Sequence, residues 1–537
     1  MAVSFSLIPS TVKTPLFYAE VDSTRAGQSV TNRPSLLVGQ MLASGTAPAG
    51  LYTRIRSAAH AGLLFGHGSQ VARAALAYFA NDPYAEVWGL PLADHASGTA
   101  ASRVVVIATS SPVAGTLPLY IGGQVLAVPV TAASTGTTLG NWITSYLGTD
   151  EAKAIALPVA VNGTTATRLA ASQFPVFATQ SAGTITFTAR NKGLVANQID
   201  IRVAYTGTAG GEAAPAGLTI QYDPLNSSTY GTTLVGTYCL LFGGTNNPLL
   251  TTLPVLLGSK RWHSIVHPYS DTTGLDAFRA DLADSVDGRW GPIRRLYGQS
   301  YSARVGTYET LTALALHNDP HASVFGVEAS PTPPYEIAAA YAGACSRSLR
   351  VDPARPLNTL PLAGVKAPAY DDQFSWADRE ILLGLGITPP SWSDDGSVRI
   401  CRAISTYMVN AYGSNDSAYL DITTCANLDY QLTALEAMVT TKFGRHKLVS
   451  DGTAISSGQA AVCPSMIKAE IIAQYKVWER DGLVENTTTF VSNLVVERSE
   501  SDPTRVEVIY PPDLANGLMV FALLAQFRLQ YSRAELA

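Results

Sequence analysis

Alternation of apolar and polar positions is most regular at the end of the chain. Between residues 518 and 531 (LMVFALLAQFRLQY) the odd positions Met519, Phe521, Leu523, Ala525, Phe527, Leu529 and Tyr531 are all apolar. The even positions turn polar only at Gln526, Arg528 and Gln530. A period-two face over seven positions predicts a β-strand. Leu, Ala, Met and Gln also favour helix, so a buried helix is the rival reading. Two more strands are predicted just before it, at 490–498 (FVSNLVVER) and 505–510 (RVEVIY). The breaker cluster SESDP separates them, and Pro511 and Pro512 stop the second. A strand at a chain end has no hairpin partner after it. It pairs within its own domain or with another molecule.

The other end has a similar character. Residues 1–34 carry short β-like pieces at 3–8 and 16–21, separated by Pro9 and Pro15, with no helical period. The segment is too short and interrupted for a core of its own. Phe5, Leu7, Ile8, Phe17 and Tyr18 nonetheless need a surface to cover. An extended arm is predicted, with a disordered leader as the alternative.

Between these ends the pattern changes texture several times. Residues 35–108 read as α/β: strands at 36–40, 85–91 and 103–108, and a helix over 66–82 with Val71, Ala74, Ala75, Tyr78 and Phe79 at helical spacing. Residues 109–246 read as a mostly-β insertion. Its short strands (117–121, 124–130, 183–189, 200–204, 218–222) are parted by Gly, Thr, Ser and Asn turns and one helix at 138–147. Its tail, 238–247, is expected to rejoin the α/β sheet. Residues 247–351 resume the alternation. Strands are expected at 263–267, 301–305, 311–317 and 323–327, with a helix capped at Ser270 carrying Leu275, Phe278, Leu282 and Val286, and another at 335–350. Residues 352–517 form a C-terminal α+β unit with a strand at 396–404 and helices near 428–443 and 464–481, Pro464 sitting in a first turn. Residues 518–537 are the terminal strand or arm. The fold class is thus multidomain, α/β with α+β parts, an inserted β domain and extended ends.

Composition adds a constraint. The chain has 537 residues, too many for a single core, and only 14% are charged against the usual quarter. A charge-poor surface suits a protein covered by other subunits. The net charge of −5 offers no basic footprint for nucleic acid. No apolar run reaches membrane-spanning length, and no signal-peptide pattern opens the chain. Five scattered cysteines without a CxxC read as reduced, mostly buried thiols rather than a zinc site.

Candidate chemistry is thin. Gly66, His67, Gly68 and Ser69 precede a helix but match no phosphate-loop pattern, so Ser69 reads as a cap. His317 and His321 stand four apart, a spacing that on a helix faces one metal, but Pro320 sits between them and no Glu follows as in H-E-x-x-H, so they read as loop residues. His263 and His267 share one strand face and read as core-edge residues. Asp371–Asp372 and Asp394–Asp395 fit turns better than a calcium loop. No catalytic constellation, cofactor site or metal site is predicted, and the chain is read as not an enzyme.

An ordered series of short motifs resembles the contractile-tail sheath proteins of phages, and within them the sheaths of Mu-like phages. It begins with FSLIPS (5–10). DPARPL (352–357), LAGV (362–365), AP (367–368), LL (382–383) and GI (386–387) follow. Next come DG (395–396) with VRI (398–400), RAISTY (402–407), and Asp416 with YLD (419–421). GLVEN (482–486), VER (496–498), DP (502–503) with Arg505, and YPPDL (510–514) close the series. Ala515 and Gly517 depart from the Val and Gln more typical there. The resemblance implies a structural protein of the virion, assembled in the host cytoplasm as stacked six-membered rings around a tail tube. Its C-terminal domain would face the tube and its inserted domain would face outward. Its arms would add strands to neighbouring subunits, placing Phe5, Leu7, Ile8, Phe17 and Tyr18 at one contact and Met519, Phe521, Leu523, Phe527 and Leu529 at the other. Implied partners are other copies of the chain, the tube protein, and baseplate and terminator proteins, with no nucleic acid and no membrane insertion. Contraction would drive the tube through the host envelope. Two other classes stay open: a receptor- or carbohydrate-binding virion protein using the β insertion, and a hydrolase built on His67–Ser69 or the 317–321 histidines. Phage tail, tailocin and other injection systems share the same machine.

Overall fold

A computed structural model describes residues 33–148, 173–223, 230–314, 317–393, 395–456 and 458–527. The first strand, β1 (Ser35–Gln40), is buried along its whole length, as a central strand of a sheet covered on both faces must be. Next come β2 (Thr53–Ile55), helices α1 (Ala58–Phe65) and α2 (Gln70–Asn81), and β3 (Val87–Leu92). Ser69 caps α2, its hydroxyl accepting from the Ala72 N–H at 3.2 Å. After the insertion the same sheet resumes. Its later elements are α4 (Leu253–Leu257), β12 (Ser264–Val266), α5 (Thr272–Leu282), β13 (Gln299–Val305), α6 (Tyr308–Thr312), β14 (Ala322–Val327), α7 (Pro334–Val351), α8 (Trp376–Gly384) and β15 (Ile387–Thr388).

The sheet order is β15-β14-β13-β12-β1-β3-β2, parallel throughout except for the β2 edge. Helix α7 covers one face through Tyr341, whose ring lies 5.5 Å from Tyr301 and 5.3 Å from Phe325. Helices α2 and α7 touch closely at Gly343: a Cβ there would stand 3.0 Å from the Tyr78 carbonyl oxygen. Two local expectations fail here. The strand expected over 311–317 does not form over residues 311–314, where Thr307 caps the short helix α6 instead; residues 315–316 lie outside the described residues. Asp271 rather than Ser270 caps α5, and Val286 lies beyond its end, exposed.

The insertion holds β4 (Ala100–Thr109), β5 (Gly115–Ile121), β6 (Gln124–Val130), α3 (Gly136–Leu147), β7 (Val176–Ser181), β8 (Thr184–Lys192), β9 (Ile201–Val203), β10 (Leu218–Tyr222) and β11 (Thr232–Thr233). They form two antiparallel sheets, β11-β10-β4-β8-β7 and β6-β5-β9, around a second core. The strand read at 103–108 therefore belongs to this layer and not to the parallel sheet. Its run of Val104, Val105, Val106 and Ile107 is apolar throughout, but burial alternates along β4, as it does when an antiparallel sheet keeps one face open. The 238–247 segment also stays with this layer, bridging Asp200 through Leu240 and Ser102 through Phe242. Long polar side chains tie the insertion to the parallel sheet. Arg73 bonds Glu336 Oε1 at 2.7 Å and reaches the Gly122 and Gln173 carbonyls. Arg202 reaches the Ala329 carbonyl at 2.9 Å, and the Gln198 amide oxygen accepts from the Val305 N–H at 3.0 Å.

The remaining elements are the hairpin β16 (Pro390–Trp392) and β17 (Val398–Ile400), helix α9 (Ile422–Phe443), the small pair β18 (Lys447–Leu448) and β19 (Ala461–Val462), helices α10 (Pro464–Arg480) and α11 (Thr487–Asn493), and the hairpin β20 (Val495–Arg498) and β21 (Val506–Ile509). The strand expected over 396–404 shortens to β17. The strand expected over 490–498 begins only at Val495, because Phe490 sits in α11. There its ring stacks on Tyr475 at 3.7 Å with Trp478 in the same core. Tertiary packing overrides the local β preference.

Candidate inter-subunit surface

The last part of the chain is first fastened and then released. Val484 bridges Leu514, the Glu485 N–H donates to the Asp513 carbonyl at 2.9 Å, and the Ala515 N–H donates to the Leu483 carbonyl at 3.1 Å. The Tyr475 hydroxyl donates to the Glu485 carbonyl at 2.8 Å and accepts from the Asp513 N–H at 3.1 Å. Burial raises that phenol's pKa, which keeps its proton available for the bond. The chain then passes Pro356 at Gly517, where a Cβ would come within 2.7 Å of the proline ring.

Beyond Gly517 the backbone forms neither helix nor ladder through Phe527. Met519 is half-buried. Leu518, Val520, Phe521, Leu523, Leu524 and Phe527 are exposed, from 74% at Leu518 to 85% at Phe527. The period-two pattern therefore finds no strand partner inside the described part of the chain. Leu529, and Phe5, Leu7, Ile8, Phe17 and Tyr18 at the other end, lie outside the described residues.

The hairpin β20–β21 is equally incomplete. Its two strands pair in register from Val495 with Ile509 to Arg498 with Val506, and neither has another backbone partner among the described residues. One face packs Val496 and Val506 against the Tyr475–Trp478 core, while Val508 and Ile509 on β21 are exposed. A two-stranded ribbon with free edges is a template for added strands.

The residues considered for chemistry do not assemble into a reactive site. His267 stacks on Phe278 at 3.6 Å, and burial pushes its imidazole down to about 3. His263 is pushed down to about 3 for the same reason. Both stay neutral in the folded protein. Their folded values lie below the unfolded value of about 6.5, so the stability they confer is full above that pH and is lost as pH falls toward 3. Resistance to urea should therefore fall steadily below pH 6.5. His267→Phe, which keeps the stack, should flatten that decline by about 1 kcal/mol per pH unit. An unchanged slope would refute the assignment.

His321 forms an alignment that sequence spacing does not reveal. Its Nε2 lies 3.0 Å from Asp284 Oδ1 and its Nδ1 lies 3.8 Å from Cys425 Sγ. The order resembles an acid–base–thiol relay, but Cys425 is fully buried and its thiol is pushed far above the ordinary range. It acts as core. Asp371 and Asp372 lie exposed in a short 3-10 turn. Among the described residues no group of three or more His, Cys, Asp or Glu side chains could hold a metal ion, and no helix is long and apolar enough to cross a membrane.

The described residues thus present a two-stranded ribbon with open edges and an exposed apolar tail. The family models for the phage tail sheath protein central domain and the phage tail sheath C-terminal domain match residues 245–406 and 414–528. The chain is 34% identical to the Mu-like prophage FluMu tail sheath protein of Haemophilus influenzae over 530 residues, covering 98% of this chain and all of that one. The chain belongs to the phage tail sheath family, and its function is that of a tail sheath protein. Solved structures of similar fold include the sheath tail protein from Desulfitobacterium hafniense (12% identity, 94% of this chain and 97% of that one, TM-score 0.45). Another is the anti-feeding prophage helical sheath in its contracted state (12% identity, 97% and 100%, TM-score 0.44).

Proposed function

We propose that the protein is the subunit of a contractile sheath. It polymerises as stacked six-membered rings around a tail tube, and its contraction drives the tube through the host envelope to deliver the genome. The observation that carries this is the pairing, among the described residues, of an unfilled ribbon, β20–β21, with an apolar tail that stays exposed. Tail residues Met519, Phe521, Leu523, Phe527 and Leu529 add to a neighbour's ribbon, and the arm carrying Phe5, Leu7, Ile8, Phe17 and Tyr18 does the same at the other end. Backbone bonds supply affinity and alternate side chains supply register. Because the strands stay joined, the bodies can shift as rigid units without parting. Repeated head-to-tail contacts generate an open helix. The energy of contraction is stored in the extended lattice and released by new interfaces.

In this division residues 1–34 and 518–537 are the arms, 35–108 with 247–351 the α/β body, 109–246 the outward insertion, and 352–517 the part facing the tube. Because β4 pairs with the strands of the antiparallel layer, we begin the insertion at about residue 99 rather than at 109. Tube, baseplate and terminator proteins are the partners, and assembly takes place in the host cytoplasm before the sheath joins the virion. The purified protein should form helical tubes or rings in negative-stain images, and deleting residues 1–25 should abolish them while leaving a folded monomer. Long tubes from the truncated chain would refute the arm assignment. Binding to cell envelopes without polymerisation would favour a receptor-binding role.

A further inference from the structure

The helix α9 carries two polar stripes that serve opposite neighbours. Asp429, Thr433 and Glu436, at spacings of four and three, share one face. Asp429 is 2% exposed, and its Oδ2 meets Arg33 Nη2 at 3.0 Å. Its other oxygen accepts from the Thr433 hydroxyl at 3.2 Å. Arg261 donates to the Thr433 hydroxyl at 2.8 Å, and Arg261 and Arg295 both reach Glu436 at 3.4 Å. The nearby His263 ring, 3.6 Å from Asp429, is held neutral by burial, so Arg33 is the counter-charge. Arg33 stands two residues before the central strand β1, and the Pro34 carbonyl accepts from the His263 N–H at 3.0 Å. This stripe grips the place where the chain enters the parallel sheet.

Asn427 and Gln431 lie about 200° around the helix from Asp429. They are bonded to each other at 3.0 Å. The Asn427 amide donates to the Leu483 carbonyl at 2.8 Å, the same carbonyl that takes the Ala515 N–H. The Tyr510 hydroxyl donates to Gln431 Oε1 at 2.5 Å. The second stripe thus grips the root of the carboxy-terminal tail and the end of the ribbon.

We propose that Asp429 is a positioning residue for assembly. With Arg33 it locks the entry of the chain into the body in fixed register with the root of the carboxy-terminal tail, and α9 is the rigid link between them. The proposal rests on the sheath reading and adds to it a requirement on geometry inside the body. A lattice that joins subunits at two points tolerates little error in their relative placement, whereas folding of one subunit tolerates much more.

The test separates these two demands. Replacing a buried ion pair by apolar groups of similar size often leaves stability unchanged, so the full-length double variant Arg33→Met/Asp429→Leu should fold and melt as the wild type does. Its yield of ordered tubes, counted in negative-stain images at equal concentration, should drop at least tenfold. The single variant Arg33→Lys, which keeps a charge opposite Asp429, should retain most of the wild-type yield. Glu436→Gln, at the exposed end of the stripe, should lower the yield severalfold without altering the melt. Wild-type tubes from the double variant would overturn the proposal. So would losses of tubes and melting temperature that rise together across the variants, since that marks a purely structural role. A wild-type protein that forms no tubes would instead sink the sheath reading itself.

Discussion

Phe521→Lys with Leu523→Lys should yield a monomer that melts within about 2 °C of the wild type and assembles into nothing larger. Both side chains are more than three-quarters exposed. Substitutions at such positions, away from any fold contact, usually change stability by less than about 0.5 kcal/mol. Assembly responds differently. Covering a Phe or Leu side chain contributes about 1.5–3 kcal/mol. Placing two ammonium groups there removes that gain and adds their desolvation, at every subunit in the lattice. Sedimentation velocity and negative-stain imaging read the assembly, and thermal melts read the fold. Leu523→Pro tests the mode of contact, because proline removes a backbone donor that an added strand uses. Tubes that persist through the lysine and proline variants would show that the tail does not act as an added strand and would favour the helical alternative.

Arg73→Met should be the most destabilising single change at the base of the insertion. The guanidinium reaches Glu336, the Gly122 carbonyl and the Gln173 carbonyl, so it joins α2, α7 and the β layer at one point. Burial works against the charge on Arg73, and Glu336 sustains it. Removing the arginine leaves Glu336, 14% exposed, without its charge partner, a loss of about 3 kcal/mol. Urea unfolding at pH 7 measures it. Arg73→Lys keeps the charge but cannot span three acceptors, and about half of the loss should remain. A midpoint unmoved by Arg73→Met would refute the role of this contact as the clamp between layers.

The parallel sheet is legible where its strands are short apolar runs bounded by breakers, as in SLLVGQ at β1; β13, QSYSARV, is not such a run. The helices at 70–81, 136–147, 334–351 and 464–480 were legible from their spacing. The misreadings share a cause. The β4 run and the Phe490 segment carry the right residue types for a buried strand, and only their neighbours decide the sheet or the helix they join. The tail's alternation was plain, yet the ladder it implies needs a partner that the described part of the chain does not contain. The polar contacts were illegible for a different reason. Arg33 and Asp429 stand 396 residues apart, and the Asp284, His321 and Cys425 alignment draws on the loop after α5, the residue before β14, and α9. No local pattern announces either.

The ribbon β20–β21 has a consequence for counting. Two open edges amount to two vacancies per subunit, and a chain has two ends with which to fill vacancies elsewhere. On the proposed reading donors and vacancies are equal in number, so a sheath of any length is balanced in its interior. Imbalance is confined to the rims: one terminal ring holds edges that no subunit fills, and the opposite ring holds strands with nowhere to go. On that reading a baseplate and a terminator would meet two different chemistries, one supplying strands and the other supplying edges, and the polarity of the whole tail would be written into which end lacks which.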